Sequence, residues 1–183
     1  DYNAVEKTIY YQSIFQSIIG NTNHQYKLGI GYQYDLLEDE YNSLPSYREQ
    51  QVPGAFGEYT YSYLEKFKLV AGVRGDYHND HGFIFTPRMH GKYNFTDDLI
   101  LRWSGGKSFR VPYAIADNIS VLASSKLLSF DEKIKPEEAW NYGVNLTQRY
   151  KIATHEGTAS IDFYRTDFLN QLIVDQYTDA TVI

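Results

Sequence analysis

Residues 67–76 read Phe67-Lys68-Leu69-Val70-Ala71-Gly72-Val73-Arg74-Gly75-Asp76, and this stretch decides the fold. Its apolar side chains, from Phe67 to Val73, occupy every second position, whereas Arg74 and Asp76 belong to the intervening set. A period of two residues is that of a β-strand, whose successive side chains point to opposite faces. The stretch therefore predicts a strand with one apolar face and one charged face.

The same alternation recurs on both sides of this stretch. It is found at residues 8–17, where it is less regular, and at 25–34, 55–63, 86–95, 99–104, 140–147 and 159–164. We therefore expect an all-β chain, an antiparallel meander of about eight strands of about 9 to 12 residues. Globular strands usually have about 5 to 6 residues, whereas a tilted strand that crosses a bilayer needs about 9 to 11.

The predicted connections alternate in length. Short turns are expected at residues 21–23, 65–66, 97–98 and 153–156, and long loops at 35–53, 79–85, 110–136 and from 171 onward. Short turns at one end and long loops at the other are typical of an outer-membrane barrel. The five prolines, Pro45, Pro53, Pro87, Pro112 and Pro136, are expected in loops or near strand ends, where no ladder hydrogen bond is lost.

Composition narrows the class of protein. The formal net charge is −6 and no basic stripe is visible, which argues against nucleic-acid binding. Cysteine is absent, which excludes disulfide scaffolds and thiol chemistry. The chain has 18 Tyr and 10 Phe at a mean hydropathy of −0.48. Aromatic girdles near strand ends, with one wet face on each strand, explain both values.

Periodicity alone leaves a soluble alternative open. A soluble sandwich or lipocalin-like barrel places its apolar face inward and its polar face in water. Several positions of the polar face are glycine: Gly29, Gly31, Gly72, Gly106 and Gly143. Glycine at such positions favours a face that lies against other protein.

Several strings, in order along residues 53–173, resemble the barrel domain of TonB-dependent outer-membrane receptors. They are the segments 54–61 (GAFGEYTY), 69–77 (LVAGVRGDY), 86–88 (TPR), 101–112 (LRWSGGKSFRVP), 135–143 (KPEEAWNYG) and 162–173 (DFYRTDFLNQLI). Residues 1–52 are compatible with the family but carry no signature.

The resemblance implies a location in the bacterial outer membrane and a 22-stranded transmembrane barrel with a plugged lumen. Residues 1–183 would then be a partial barrel domain without the plug and the TonB-contacting segment. The implied function is import of a scarce nutrient, a ferric siderophore first and haem or cobalamin next. The implied partners are TonB with its inner-membrane energising complex, the cargo and outer-membrane lipid. No enzyme motif and no cofactor are expected.

The long loops supply the candidate ligand-binding residues: Tyr41, Tyr47, Arg48, His78, His81, Arg110 and Tyr113. The run His78-Asn79-Asp80-His81 has a metal-like composition, but loop residues of this kind more often form a solvated turn, and no metal site is predicted. The acidic run 38–40 is likewise interpreted as a solvated loop tip in preference to a site of cation capture.

A second set of charges lies on the polar face or its rim: Glu58, Arg74, Asp76, Arg88, Lys92 and Arg102. These residues could attract an anionic ferric chelate through charge-assisted hydrogen bonds. Structural ion pairs that face the lumen and contact the plug are the favoured interpretation, because a wide lumen needs satisfied charges whatever the cargo.

Two further functions remain open at this stage. One is a complete eight-stranded outer-membrane barrel that acts as an anchor or adhesin, since eight strands can close around a side-chain-filled interior. The other is a soluble lipocalin-like binder of small apolar ligands.

Overall fold

The computed structural model describes residues 2–41, 44–113, 117 and 134–173. It contains eight β-strands: β1 (Tyr2–Ile19), β2 (Asn21–Tyr41), β3 (Leu44–Tyr63), β4 (Phe67–His78), β5 (Gly82–Asn94), β6 (Leu99–Arg110), β7 (Glu137–Ile152) and β8 (His155–Asn170). Among these residues no helix is long and apolar enough to span a membrane.

The strands form one antiparallel sheet in sequence order, so the predicted all-β meander is confirmed. Within the described residues β1 pairs only with β2, and β8 pairs only with β7. The sheet is therefore open, which contradicts both the closed eight-stranded barrel and the closed lipocalin-like barrel. It is also single, unlike a sandwich of two packed sheets. An open meander agrees with the wall of a larger barrel.

The strands are longer than the sequence indicates. Residues 35–53, expected as a loop, are mostly paired, because the β2–β3 ladder runs without a break from His24 opposite Tyr61 to Tyr41 opposite Leu44. Residues 79–85 are also mostly strand, since β5 begins at Gly82. Polar side chains do not prevent pairing, because the ladder is made by backbone groups.

Pro45 is the second residue of β3, near a strand end as expected, whereas Pro53 and Pro87 lie inside strands, against expectation. Pro45 and Pro53 belong to β3, where the β3–β4 ladder has not yet begun, because its first pair is Gly54 opposite Asp76. Pro87 lies one residue beyond the last registered β5–β6 pair. Each proline therefore has only one paired neighbour, and such a position tolerates a missing N–H donor.

One face of the sheet is apolar, and its side chains are exposed. Its exposed side chains include Ile9, Phe15, Leu28, Ile30, Val73, Phe83, Val144, Ile161 and Phe163. The hydrophobic residues that are buried within the described chain are Ile84, Ile100 and Ala139. An apolar surface of this extent needs an apolar environment, which a bilayer supplies.

Aromatic rings gather near the short-turn end of this face. Phe67 contacts Tyr61, Tyr93 and Trp103, with ring centroids 6.1–6.4 Å apart. Tyr93 also meets Phe95 edge-on at 5.0 Å. Such a belt is the arrangement expected at a membrane interface.

Large side chains lie across several strand glycines. The ring of Trp103 covers Gly91, that of Tyr164 covers Gly143, and that of Tyr150 covers Gly157. A cross-strand ring over a glycine restores packing that the missing side chain would have supplied. Glycine at these positions therefore lets the aromatic ring lie directly against the strand backbone.

Replacing Gly91 with alanine tests this packing. The added Cβ would overlap the Trp103 indole, and overpacking of this kind costs about 1–3 kcal/mol. We expect Gly91→Ala to lower the urea midpoint of the full-length protein folded into lipid vesicles. Gly105→Ala is the control, because its Cβ would meet only Tyr142 at 3.7 Å and a backbone oxygen at 4.0 Å. Equal midpoints for the two variants would show that the ring does not constrain Gly91.

Candidate functional site

The second face of the sheet, here called the polar face, carries most of the charged side chains. Residues directly opposite in neighbouring strands share a face. Gly72 lies opposite Glu58 on one side and Arg88 on the other, and Lys92 lies opposite Arg102. The strand register thus puts all six charges expected on the polar face on one side of the sheet: Glu58, Arg74, Asp76, Arg88, Lys92 and Arg102.

Two ion-pair clusters occupy the centre of the polar face. The Glu58 carboxylate accepts from Arg88 at 2.8 Å and lies 3.4 Å from Lys27 Nζ. Arg74 Nε donates to both oxygens of Asp76, at 2.9 and 2.8 Å, and Arg74 Nη2 donates at 2.7 Å. Asp76 is only 2% exposed. A carboxylate buried this deeply is stabilised by such a hydrogen-bonded partner.

A groove of about 340 Å³ lies along this region of the sheet. Its lining runs from Gln12 on β1 to Ser108 on β6 and includes Phe56, Arg74, Thr86 and Arg88. The central charges therefore border a space that a polar partner can enter.

His78 ends β4 at the long-loop end of the sheet, one position beyond the last outward aromatic pair, Tyr77 opposite Phe83. It is 1% exposed, and its Nδ1 accepts the Asp80 N–H at 3.1 Å. Burial lowers the pKa of His78, and the nearby His81 lowers it further, against the opposing effect of Asp80. His78 is therefore neutral at neutral pH, and its Nε2 has no partner among the described residues.

The segment after β6 reaches across the polar face to β3. Arg48 Nη1 donates to the Pro112 carbonyl oxygen at 3.1 Å, and the guanidinium lies 4.9 Å from the centre of the Tyr113 ring. Residues 64 positions apart thus meet at the long-loop end. A cation over an aromatic face is favourable, more so when it is shielded from water.

The surroundings of Tyr113 are acidic. Burial, followed by the negative charges of Asp35 and Glu6, raises the pKa of the Tyr113 phenol, while Arg48 opposes the rise. Asp35 is buried and accepts a hydrogen bond from Gln33 at 2.5 Å. The phenol is therefore protonated at neutral pH and able to donate a hydrogen bond.

Arg110 forms a second tether at the end of β6. Its Nε donates to Glu137 at 3.0 Å, and its Nη2 lies 3.3 Å from Asp117. Asp117 also accepts the Tyr113 N–H at 3.0 Å. The corner between β6 and β7 is thus held by charge-assisted hydrogen bonds.

The structure brings five of the seven expected ligand-binding residues into this region: Arg48, His78, His81, Arg110 and Tyr113. Arg48 lies over the Tyr113 ring, and its charge also acts on His78. The rings of His78 and His81 have centroids 4.7 Å apart. Arg110 joins them through Asp117. We call Arg48, His78, Arg110 and Tyr113, with the buried Asp35 and Gln50, the rim cluster.

Tyr47 does not belong to the rim cluster. It is 64% exposed and follows strand parity to the apolar face, opposite that of Arg48. The backbone of Tyr41 pairs with Tyr2 and Leu44, but its side chain lies outside the described part of the chain. Within the acidic run, Glu38 lies 3.8 Å from Lys7. In the described ranges no group of three or more His, Cys, Asp or Glu side chains could hold a metal ion.

Sequence reasoning missed Asp35 and Gln50. Both are buried, they lie directly opposite one another on β2 and β3, and the Gln50 Nε2 atom has no partner among the described residues. Extending the two-residue period of β2 and β3 through residues 35–53 would have found them. The prolines and acidic residues of that stretch suggested a loop instead.

An open antiparallel sheet with a bare apolar face and a charged face is the wall of a membrane-spanning β-barrel. A family model described as "TonB dependent receptor-like, beta-barrel" matches residues 2–182. The chain therefore belongs to the TonB-dependent receptor β-barrel family, which confirms the resemblance seen in the sequence. Comparison with curated proteins finds no match.

Solved structures share the fold at low sequence identity. The siderophore receptor PirA from Pseudomonas aeruginosa is 13% identical with a TM-score of 0.74, and the match covers 94% of this chain and 34% of that one. A ferric enterobactin receptor mutant (PfeA) from the same organism, in complex with enterobactin, is 13% identical with a TM-score of 0.68. That match covers 90% of this chain and 27% of the receptor chain. The FrpB iron transporter from Neisseria meningitidis is 16% identical with a TM-score of 0.68, and the match covers 98% of this chain and 30% of the transporter chain. This chain thus spans about a third of such proteins.

The buried pair of Arg74 and Asp76 yields a stability prediction. Asp76→Asn keeps the shape but leaves the Arg74 guanidinium without its counter-charge, at a cost of about 2–3 kcal/mol. We expect a lower urea midpoint for the full-length receptor in vesicles. Glu156→Gln removes the exposed pair with Lys151 and should cause no measurable change, because exposed pairs contribute little. A similar midpoint shift in both variants would show that burial does not strengthen the Arg74–Asp76 pair.

Proposed function

We propose that this chain is part of the barrel wall of a bacterial outer-membrane receptor that captures a scarce nutrient and imports it. The proposed cargo is a ferric siderophore, with haem or cobalamin as the second candidates. The observation that carries the proposal is the family match over residues 2–182. The position of the rim cluster at the long-loop end of the polar face supports it.

In the proposed receptor the polar face borders the lumen and the long-loop end faces the exterior. The rim cluster then lies where cargo arrives, with two guanidinium groups and a protonated phenol. Arg48 and Arg110 would form charge-assisted hydrogen bonds with an anionic chelate, and a fork of N–H donors suits carboxylate or catecholate oxygens. His78 is neutral and adds no charge, and Arg110 is already paired with Glu137 and Asp117, so the attraction of an anion comes mainly from Arg48.

The central ion pairs have a different proposed role. Lys27, Glu58 and Arg88 satisfy one another, as do Arg74 and Asp76. Charges that are already paired stabilise a wet wall and attract a diffusing anion weakly. We therefore assign them to structure, and to contact with a plug domain, rather than to cargo capture.

The mechanism follows that of the family. Cargo bound between extracellular loops and plug would be released when TonB and its inner-membrane complex rearrange the plug. The names of the similar structures, siderophore receptors, an enterobactin complex and an iron transporter, favour iron as the nutrient. No enzymatic step is required.

Replacing Arg48 tests whether the rim cluster binds the cargo. Arg48→Ala in the full-length receptor should weaken binding of its ferric chelate by about tenfold or more, because one charge-assisted hydrogen bond contributes about 1.5–3 kcal/mol. Binding is measured by titration in detergent and uptake by growth on single iron sources. Tyr47→Ala is the matched control, because Tyr47 is next to Arg48 in sequence but its side chain lies on the opposite, apolar face.

The cargo class is tested with a receptor-deleted strain. Growth on individual ferric siderophores, haem or cobalamin should fail for one of these sources and return with the intact gene. Unchanged uptake of all of them would contradict the proposed function. An equal loss of chelate binding in Arg48→Ala and Tyr47→Ala would contradict only the assignment of cargo binding to the rim cluster.

A further inference from the structure

The connection between β4 and β5, residues 79–81, is docked on the backbone of β3. The Asn79 N–H donates to the Gln51 carbonyl oxygen at 3.2 Å, and Asn79 Oδ1 accepts the Gln51 N–H at 3.0 Å. Asn79 Nδ2 also donates to the Glu49 carbonyl oxygen at 3.0 Å. Three hydrogen bonds from one residue therefore hold this connection, here called the 79–81 turn, against the strand that carries Arg48.

The hydrogen bonding of His78, which precedes this turn, fits only the neutral ring. Nδ1 accepts the Asp80 N–H at 3.1 Å, so the ring hydrogen is on Nε2. Nε2 is buried and has no acceptor in the part of the chain that the structure describes. Protonation would add a hydrogen to Nδ1, which would then lose the Asp80 bond. The ring would present two buried N–H groups without acceptors, and such groups are more destabilising when they are charged.

The charges closest to His78 also oppose its protonation. Burial lowers the pKa of His78 most, and the positive charges of His81 and Arg48 lower it further. Asp80 has the opposite effect but does not outweigh the others. A proton on His78 is therefore unfavourable as long as the ring stays in its buried position.

The other strands of the polar face offer His78 little counter-charge. On β4, Asp76 is bound to Arg74 at 2.7 Å. Asp35 lies two strands away on β2 and accepts from Gln33 at 2.5 Å. On β5 a glycine is directly opposite His78. The remaining titratable groups described near the rim surround the Tyr113 phenol on β1 and after β6: Glu6, Tyr113 and Asp117.

We propose that the 79–81 turn is a pH-sensitive latch on the rim cluster, docked on β3 while His78 is neutral and released when His78 takes up a proton. Release lets the imidazolium reach water, where its charge is solvated. It also frees residues 49–51, next to Arg48, from their contacts with the turn. Acid therefore loosens the side of the rim cluster that carries Arg48, whatever the cargo is.

The docked turn loses stability as the pH falls. In the released turn His78 has the ordinary histidine pKa of about 6.5, whereas in the docked turn its pKa is lower. The docked turn is therefore fully favoured above about pH 6.5. Below that value the equilibrium shifts toward release by about tenfold per pH unit, until the pH reaches the lowered pKa.

Hydrogen exchange of the full-length protein in lipid vesicles, measured by mass spectrometry, tests the latch. The readout is the protection factor of the peptide that contains the 79–81 turn, corrected for the chemical exchange rate at each pH. Between about pH 7.5 and about pH 5.5 the protection should fall about tenfold, since about one pH unit lies below the histidine pKa. His78→Gln cannot titrate, so its protection should not change with pH. His90→Gln, on the same face but outside the rim cluster, is the matched control and should respond like the parent protein.

Arg48→Gln supplies a second test that keeps His78. Because Arg48 disfavours the charged ring, the loss of protection in acid should be smaller in this variant than in the parent protein, and this comparison decides if His78→Gln does not fold. Protection that is independent of pH in the parent protein would overturn the proposal. So would a pH response that persists in His78→Gln, or one that is as large in Arg48→Gln as in the parent protein. The measurement needs no cargo, so failure of the latch is distinguishable from failure of import.

Discussion

Backbone pairing between neighbouring strands is the interaction on which the rest of this structure depends. A chain in hydrocarbon has no water to satisfy its N–H and C=O groups, so each strand must take its partners from the next. The unbroken order from β1 to β8 meets this requirement inside the sheet. Because side chains then alternate, except where the register shifts near Ile18–Ile19 and Glu138–Ala139, the ladder also determines which face a residue occupies.

Strand parity explains why adjacent residues have different roles. Arg48 and Tyr47 are neighbours in sequence, yet one reaches Pro112 on the polar face and the other projects from the apolar face. A slip of one residue in the β2–β3 register would exchange them and would expose the charges of that strand to lipid. The long ladder of β2 with β3 therefore protects the chemistry of the rim as well as the stability of the wall.

The sequence predicts the strands well where both faces have clear preferences. Residues 67–76 alternate cleanly, and β4 follows them closely. Residues 35–53 were mistaken for a loop because prolines and acidic side chains weaken the pattern, although the backbone ladder tolerates both there. The meeting of Arg48 with Pro112 and Tyr113 has no local signal, since residues 64 positions apart are brought together only by the complete sheet.

The two ends of the polar face differ in how their charges are satisfied, and this difference has a physical consequence. At the rim, Arg110 is held by Glu137 and Asp117, and Arg48 by a carbonyl and a ring, so these donors are oriented before any ligand arrives. Preorganised donors lower the entropic cost of binding. Lys68 and Lys92, which lie directly opposite one another on β4 and β5, have no ion-pair partner within the described residues, so no carboxylate orients them in the same way.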